Sequence, residues 1–139
     1  MAKYAALGTK LYKGTSGGVL ITQVKSFDGP DLSLDTEDVT SHDSTGGWEE
    51  VVGTVLRSGE LSFEIVYDPV DATHKYASGG LLYDFVQKTA NTYTFVFPDT
   101  GATEWTISAL VTGFKPSNPH DGSLTADVKM KITGQPTLA

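Results

Sequence analysis

Hydrophobic and polar residues alternate along most of this chain, with the period of two that belongs to β-strands. The cleanest case is residues 123–133. There Leu124, Ala126, Val128, Met130 and Ile132 alternate with Ser123, Thr125, Asp127, Lys129, Lys131 and Thr133. Residues 55–67 put Leu61, Phe63, Ile65 and Tyr67 on one face and Glu60, Ser62 and Glu64 on the other. Residues 103–114 and 92–97 follow the same rule, with Trp105, Ile107, Ala109 and Val111, and with Tyr93, Phe95 and Phe97, on their apolar faces. Residues 19–26 read as a strand because they are rich in β-branched side chains, and residues 10–13 as a short one. One segment breaks the rule. Leu82, Phe85 and Val86 recur at helical spacing, flanked by Leu81 and Tyr83, and predict a helix over residues 79–88. Asp71 is placed to cap a short helical turn before it.

Turn chemistry separates these pieces. Gly14, Ser16, Gly17 and Gly18 mark one turn, residues 28–31 (DGPD) a second and residues 98–101 (PDTG) a third. Residues 115–122 read as a loop, and the tail 134–139, with its Gly and Pro, is expected to leave the sheet. The expected fold is mainly β: a β-sandwich or flattened barrel of six to seven strands with one packed α-helix. Its 139 residues suit a single domain, with an N-terminal arm over residues 1–10.

Residues 26–56 stand apart. They hold eight acids (Asp28, Asp31, Asp35, Glu37, Asp38, Asp43, Glu49 and Glu50) and no Lys or Arg. Residues 32–40 alternate only in part, with Ser33, Asp35 and Glu37 on one face. Residues 40–54 show no sustained period, so a long loop is expected there, and loops of that length are usually functional or disordered.

Charge and composition narrow the function. The net charge is −7 and Arg57 is the one arginine. Gripping nucleic acid phosphates depends on Lys and Arg releasing counterions, so repulsion is expected if DNA comes near. With no Cys there is no disulfide, thiolate metal site or Cys nucleophile. No stretch has the length and apolarity of a membrane span, and a soluble product made in the cytosol is expected. His42, Asp43 and Ser44 are the residue types of a hydrolytic triad, but sequence neighbours cannot converge as a triad must. His42, His74 and His120 read as solvated loop residues. Glu60 and Glu64 on one strand face would lie ~13 Å apart, beyond the roughly 6.5–9.5 Å of an inverting glycosidase pair. The acids lack the spacing of a calcium loop. No catalytic residue, metal or cofactor is expected.

Trp48, beside Gly46 and Gly47 and followed by Glu49 and Glu50, is the one large aromatic in residues 40–54. It either folds back on its own sheet or anchors another subunit, since Trp is enriched at interface hot spots. Its surroundings form part of an ordered series of motifs. DVTSHDS (residues 38–44) is followed by Trp48 and Gly53, then LRSGELSFE (56–64), YDPVDATH (67–74), VTGFKPSNPHDG (111–122), and GQPT (134–137). In this order and spacing, over residues 19–138, the chain resembles the major tail tube proteins of long-tailed, lambda-like bacteriophages. Ser78-Gly79-Gly80 departs from the Ala/Leu-rich helix start expected for that family.

The resemblance implies a virion protein without catalysis. Six copies would form a ring whose inner strands join into one barrel. Rings would stack into a tube for DNA ejection, alongside a tape measure protein and tail terminator and tip proteins. Residues 40–54 fall where the family has its ring-stacking loop, making His42, Asp43, Trp48, Glu49 and Glu50 candidates for inter-ring contact. The N-terminal arm and the 134–139 tail would pack between subunits. Asp35, Glu37, Glu60, Ser62 and Glu64 are candidates for lining the channel, where carboxylates let a polyanion slide without sticking. The alternative is a monomeric β-sandwich binding module, carbohydrate-binding or adhesin-like, which would need an exposed aromatic platform.

Overall fold

The computed structural model describes residues 3, 7–14 and 18–138. Much of the expected N-terminal arm, the turn at Ser16 and Gly17, and the last tail residue, Ala139, lie outside the described residues. In chain order the strands are β1 (Lys10–Lys13), β2 (Val19–Leu20), β3 (Val24–Asp28), β4 (Ser33–Asp38), β5 (Val51–Arg57) and β6 (Glu60–Val66). The helix α1 (Leu81–Gln87) follows, then β7 (Asn91–Val96), β8 (Glu104–Ser117) and β9 (Thr125–Thr137). Seven strands form one antiparallel sheet in the order β2-β1-β7-β8-β9-β6-β3, and β4 pairs with β5 in a separate two-stranded sheet.

The two outermost strands of the large sheet, β2 and β3, are joined by Ile21–Gln23 alone. The Ile21 N–H donates to the Leu11 carbonyl (2.9 Å) at one edge, and the Val66 N–H donates to the Gln23 carbonyl (2.9 Å) at the other. So short a link between opposite edges requires the sheet to curl on itself. The mainly β half-barrel with its packed helix agrees with the expected fold.

The inner face of the curl is the core. Leu61, Ile65, Tyr93, Phe95, Val128 and Met130 are fully buried there. Phe27 meets Phe95 edge-on at 4.9 Å, and Phe97 meets Trp105 edge-on at 5.2 Å, an arrangement that suits aromatic quadrupoles. Alternation named these positions correctly because antiparallel strands with one wet face bury every second residue.

Six expectations need correction. Residues 19–26 are two strands, broken where Gln23 takes a positive φ of 60° to turn the chain from edge to edge. Residues 55–67 are also two strands. Gly59 interrupts them at φ 69°, where a Cβ would strike the Asp31 carbonyl. β8 runs on through Pro116 to Ser117, and β9 runs to Thr137, pairing with Thr106 after a bulge at 134–136. The tail therefore stays in the sheet. The helix buries Leu81 and Asp84 and leaves Phe85 and Val86 exposed. His74 is fully buried instead of solvated. Its Nδ1 accepts the Asp68 N–H (3.2 Å) and its Nε2 donates to the Thr22 carbonyl (2.8 Å).

Two polar clusters hold the end of the barrel where β6 finishes. Asp84 accepts from Lys13 Nζ at 2.8 Å and from the Tyr93 hydroxyl at 2.9 Å, fastening α1 to β1 and β7. Burial, and then the neighbouring Asp84 charge, push the Tyr93 phenol well above its ordinary pKa. In the second cluster Asp71 accepts from Thr73 Oγ1 (2.6 Å), the Thr73 N–H (2.8 Å) and Thr22 Oγ1 (2.7 Å). These bonds hold the Asp71 carboxyl down at about 2 and tie the edge-to-edge link to the loop before α1.

Two outcomes follow. Lys13→Met leaves the buried Asp84 carboxylate uncompensated and should lower stability by about 2–4 kcal/mol in urea titration. Asp71 has a depressed folded-state pKa. Its contribution, on the order of 1–2 kcal/mol, is present above the ordinary carboxyl value and lost as pH falls from about 4 towards 2. Asp71→Asn should reduce stability at neutral pH and flatten that acid limb when unfolding is followed across pH.

Candidate assembly interface

β4 and β5 form an arm that stands off the barrel. Every residue of β5 is exposed, and Asp35 alone on β4 is half-buried. Leu34 pairs with Leu56, Thr36 with Gly53 and Asp38 with Val51, so these six side-chain positions share one face. Ser33, Asp35, Glu37, Val52 and Arg57 take the other. Between Leu34 and Thr36 the register shifts. Thr54 and Val55 together oppose Asp35, which is a β-bulge. That bulge explains why β5 shows no clean alternation in the sequence.

The arm is thus amphipathic with nothing over its apolar face among the described residues. Leu34 is exposed, lying across Gly53, and Leu56 is 80% exposed. On the opposite face Arg57 Nη2 meets Asp35 Oδ2 at 2.8 Å. An isolated two-stranded hairpin is marginal in water at best. An uncovered apolar stripe on such a hairpin is the signature of a surface completed by a partner.

The tip is shorter and better ordered than a loop over 40–54, because β5 already begins at Val51. Val39 N–H donates to the Glu50 carbonyl (2.9 Å), Glu50 N–H to Thr40 Oγ1 (2.7 Å) and Thr40 N–H to Asp38 Oδ1 (2.8 Å). Hydrogen bonds from Thr40 hold the Asp38 carboxyl below the usual range. A single 3₁₀ turn over Thr45–Gly47 follows, with Gly46 and Gly47 both at positive φ. This turn presents Trp48 outward, 78% exposed, with its ring edge against Gly46. Trp48 does not fold back on the sheet. His42, Asp43, Glu49 and Glu50 are exposed beside it. No hydrogen bond joins His42, Asp43 and Ser44 among the described residues, and Ser44 Oγ instead accepts the Ser41 N–H at 3.0 Å.

The five acidic-face candidates fall in two places. Asp35 and Glu37 share the polar face of the arm. Glu60, Ser62 and Glu64 lie on the outer face of β6, directly opposite Lys131, Lys129 and Asp127 of β9, with Lys25 Nζ 3.8 Å from Glu64. That outer face is mixed in charge. The net negative charge sits instead on residues 31–57, with seven acids against Arg57, while the rest of the chain has ten acids against nine bases. The acids of the arm are legible in the sequence, and the near-neutrality of the barrel emerges once the arm is set apart from it.

No group of three or more metal-ligating side chains occurs among the described residues. The strongly shifted Asp71 is accounted for by its hydroxyl partners. An open apolar groove of about 990 Å³, lined by Leu7, Val24, Phe27, Phe97 and Trp105, lies near the root of the arm. Phe63, Tyr93 and Phe95 are buried in the core and Tyr67 is half-buried against it, so these four form no exposed aromatic platform of the kind a carbohydrate-binding module needs. No helix among the described residues is long and apolar enough to cross a membrane.

The family model for phage tail tube proteins matches residues 29–138. No curated protein sequence matches. Among solved structures, a chain from the virion of a native gene transfer agent particle superposes with a TM-score of 0.73 at 18% identity, covering 99% of both chains. A chain from the tail of an empty gene transfer agent particle, refined helically with C6 symmetry, gives 0.71 at 19% identity, again with 99% coverage of both. A chain from the sheath/tube terminator of the extracellular contractile injection system PVC, in its extended state, gives 0.73 at 14% identity, covering 100% of this chain and 98% of that one.

Because the apolar face of the arm supports no core, Leu34→Ser combined with Leu56→Ser should change subunit stability by less than about 1 kcal/mol. Leu61→Ala, in the barrel, should cost about 3 kcal/mol. Urea titration of the two variants checks the contrast.

Proposed function

The chain belongs to the phage tail tube protein family, and from that membership we propose that six copies close into a ring and that rings stack into the channel for DNA ejection. It is a structural protein of the virion tail. The observation that carries the stacked-ring reading is the amphipathic arm with its uncovered apolar face and outward Trp48. Two further features support it. The curled sheet ends in open edges at β2 and β3, and such edges are hazards in a monomer that ring closure removes. A fold shared with a tail refined in C6 symmetry suits six-fold closure.

In this assembly residues 40–54, the arm tip with the start of β5, meet the next ring through His42, Asp43, Trp48, Glu49 and Glu50. Residues 1–10 and 134–139 pack between subunits, the latter by way of the β9 extension. Asp35 and Glu37, on the polar face of the arm, are the stronger channel-lining candidates, since they belong to the part of the chain that carries the net charge. Glu60, Ser62 and Glu64 share their face with Lys129 and Lys131, which would weaken the repulsion of DNA there. A tape measure protein in the lumen and terminator and tip proteins at the ends complete the tail.

Replacing residues 41–49 by Asn-Gly, a two-residue hairpin turn, should leave a folded subunit that forms rings without tubes under negative-stain microscopy. Tubes of ordinary length from that variant would remove the arm tip from stacking.

A further inference from the structure

The arm and α1 leave the barrel at opposite ends. The arm returns to the barrel at Arg57, just before β6 begins, and the loop leading to α1 starts where β6 finishes at Val66. Seven residues of strand separate those ends by about 20 Å. The far end carries a second exposed apolar surface. Val70 is 79% exposed, and Tyr76 is exposed with its ring 6.0 Å from that of Tyr83. Val86, one helical turn beyond Tyr83, is exposed as well. Lys75 and Lys88 flank this surface, and neither makes an ion pair with a described residue. Of the acids at this end, Asp71 and Asp84 are engaged by Thr22 and Thr73 and by Lys13 and Tyr93, and Asp68 accepts the Val70 N–H at 3.0 Å.

One end of the molecule therefore offers an apolar stripe and an aromatic knob set among uncompensated acids. The other offers an apolar surface with Lys75 and Lys88, which make no ion pair with a described residue. Surfaces that differ at the two ends of one chain match head to tail, and such heterologous contacts propagate along an axis. We infer that the α1 face around Tyr76, Tyr83 and Val86, with Lys75 and Lys88, is the acceptor on which the arm of the next copy docks. This rests on the stacked-ring reading and adds to it the receiving surface, with Trp48 against the aromatic pair and Glu49 and Glu50 towards the two lysines. The groove beside Phe97 and Trp105 is the competing acceptor. It is less suited because it lies at the arm's own end of the barrel.

The test uses the full chain under tube-forming conditions. Lys75→Glu with Lys88→Glu should lower tube yield at least tenfold by sedimentation and negative stain while leaving the far-ultraviolet dichroism unchanged. Adding Glu49→Lys and Glu50→Lys should restore tubes. The chain has no cysteine, so Trp48→Cys can be paired in turn with Val70→Cys, Tyr76→Cys or Phe97→Cys. Inter-copy disulfides are expected with the first two partners. Undiminished tubes from the double Lys variant, or cross-linking to position 97 alone, would overturn the acceptor. If the variant lacking residues 41–49 also fails to stack in that case, the arm keeps its role and only its partner surface is wrong. If that variant stacks normally, the stacked-ring role of the arm fails with it.

Discussion

The link at Ile21–Gln23 constrains everything else. Three residues must carry the chain from one edge of a seven-stranded sheet to the other, and they can do so only if the sheet has curled until its edges are near. The curl gives the strands one enclosed face and one wet face, which is why so few apolar residues suffice for a core. Thr22 anchors the link through Asp71 and through the His74 ring, so the loop ahead of α1 is fixed by the same contacts. From there Leu81 and Asp84 set the helix against the barrel. The position of α1 is thus a consequence of the curl.

At the other end of the barrel the chain does something different. Between β3 and β6 it leaves the sheet, forms a hairpin and returns, with Gly59 allowing the Asp31 backbone to pass closely at the root. The hairpin has its own register, bulge and tip hydrogen bonds, and draws little from the barrel. An ordered, amphipathic, acidic projection on a nearly neutral body makes sense for a protein whose family builds tubes. In the proposed tube the body supplies the wall, and the projection supplies directionality.

The strands of the barrel were legible in the sequence because one-sided burial writes itself as alternation. Leu124 to Ile132 and Leu61 to Ile65 needed no further information. What stayed hidden depended on distant partners. His74 reads as a surface residue until the Thr22 carbonyl, far away in the chain, takes up its ring. Asp84 turns inward, displacing the apolar stripe of α1, because Lys13 and Tyr93 wait there. The edge-to-edge break falls at a glutamine, where no glycine advertises a positive φ. In the arm, composition marked an exposed acidic segment, while the bulge at Thr54 and Val55 concealed the strand beside it.

The separateness of the arm also bears on how such a protein can change over time. Substitutions far apart and without shared partners act independently on stability. Residues between Leu32 and Leu56 can therefore drift, lengthen or exchange charge while the barrel keeps folding. The barrel can be rewritten in turn, provided its alternation is kept. Lineages are free to renegotiate which copies recognise one another without reinventing the wall they build. A half-barrel still superimposable at 14% identity is what such a division permits.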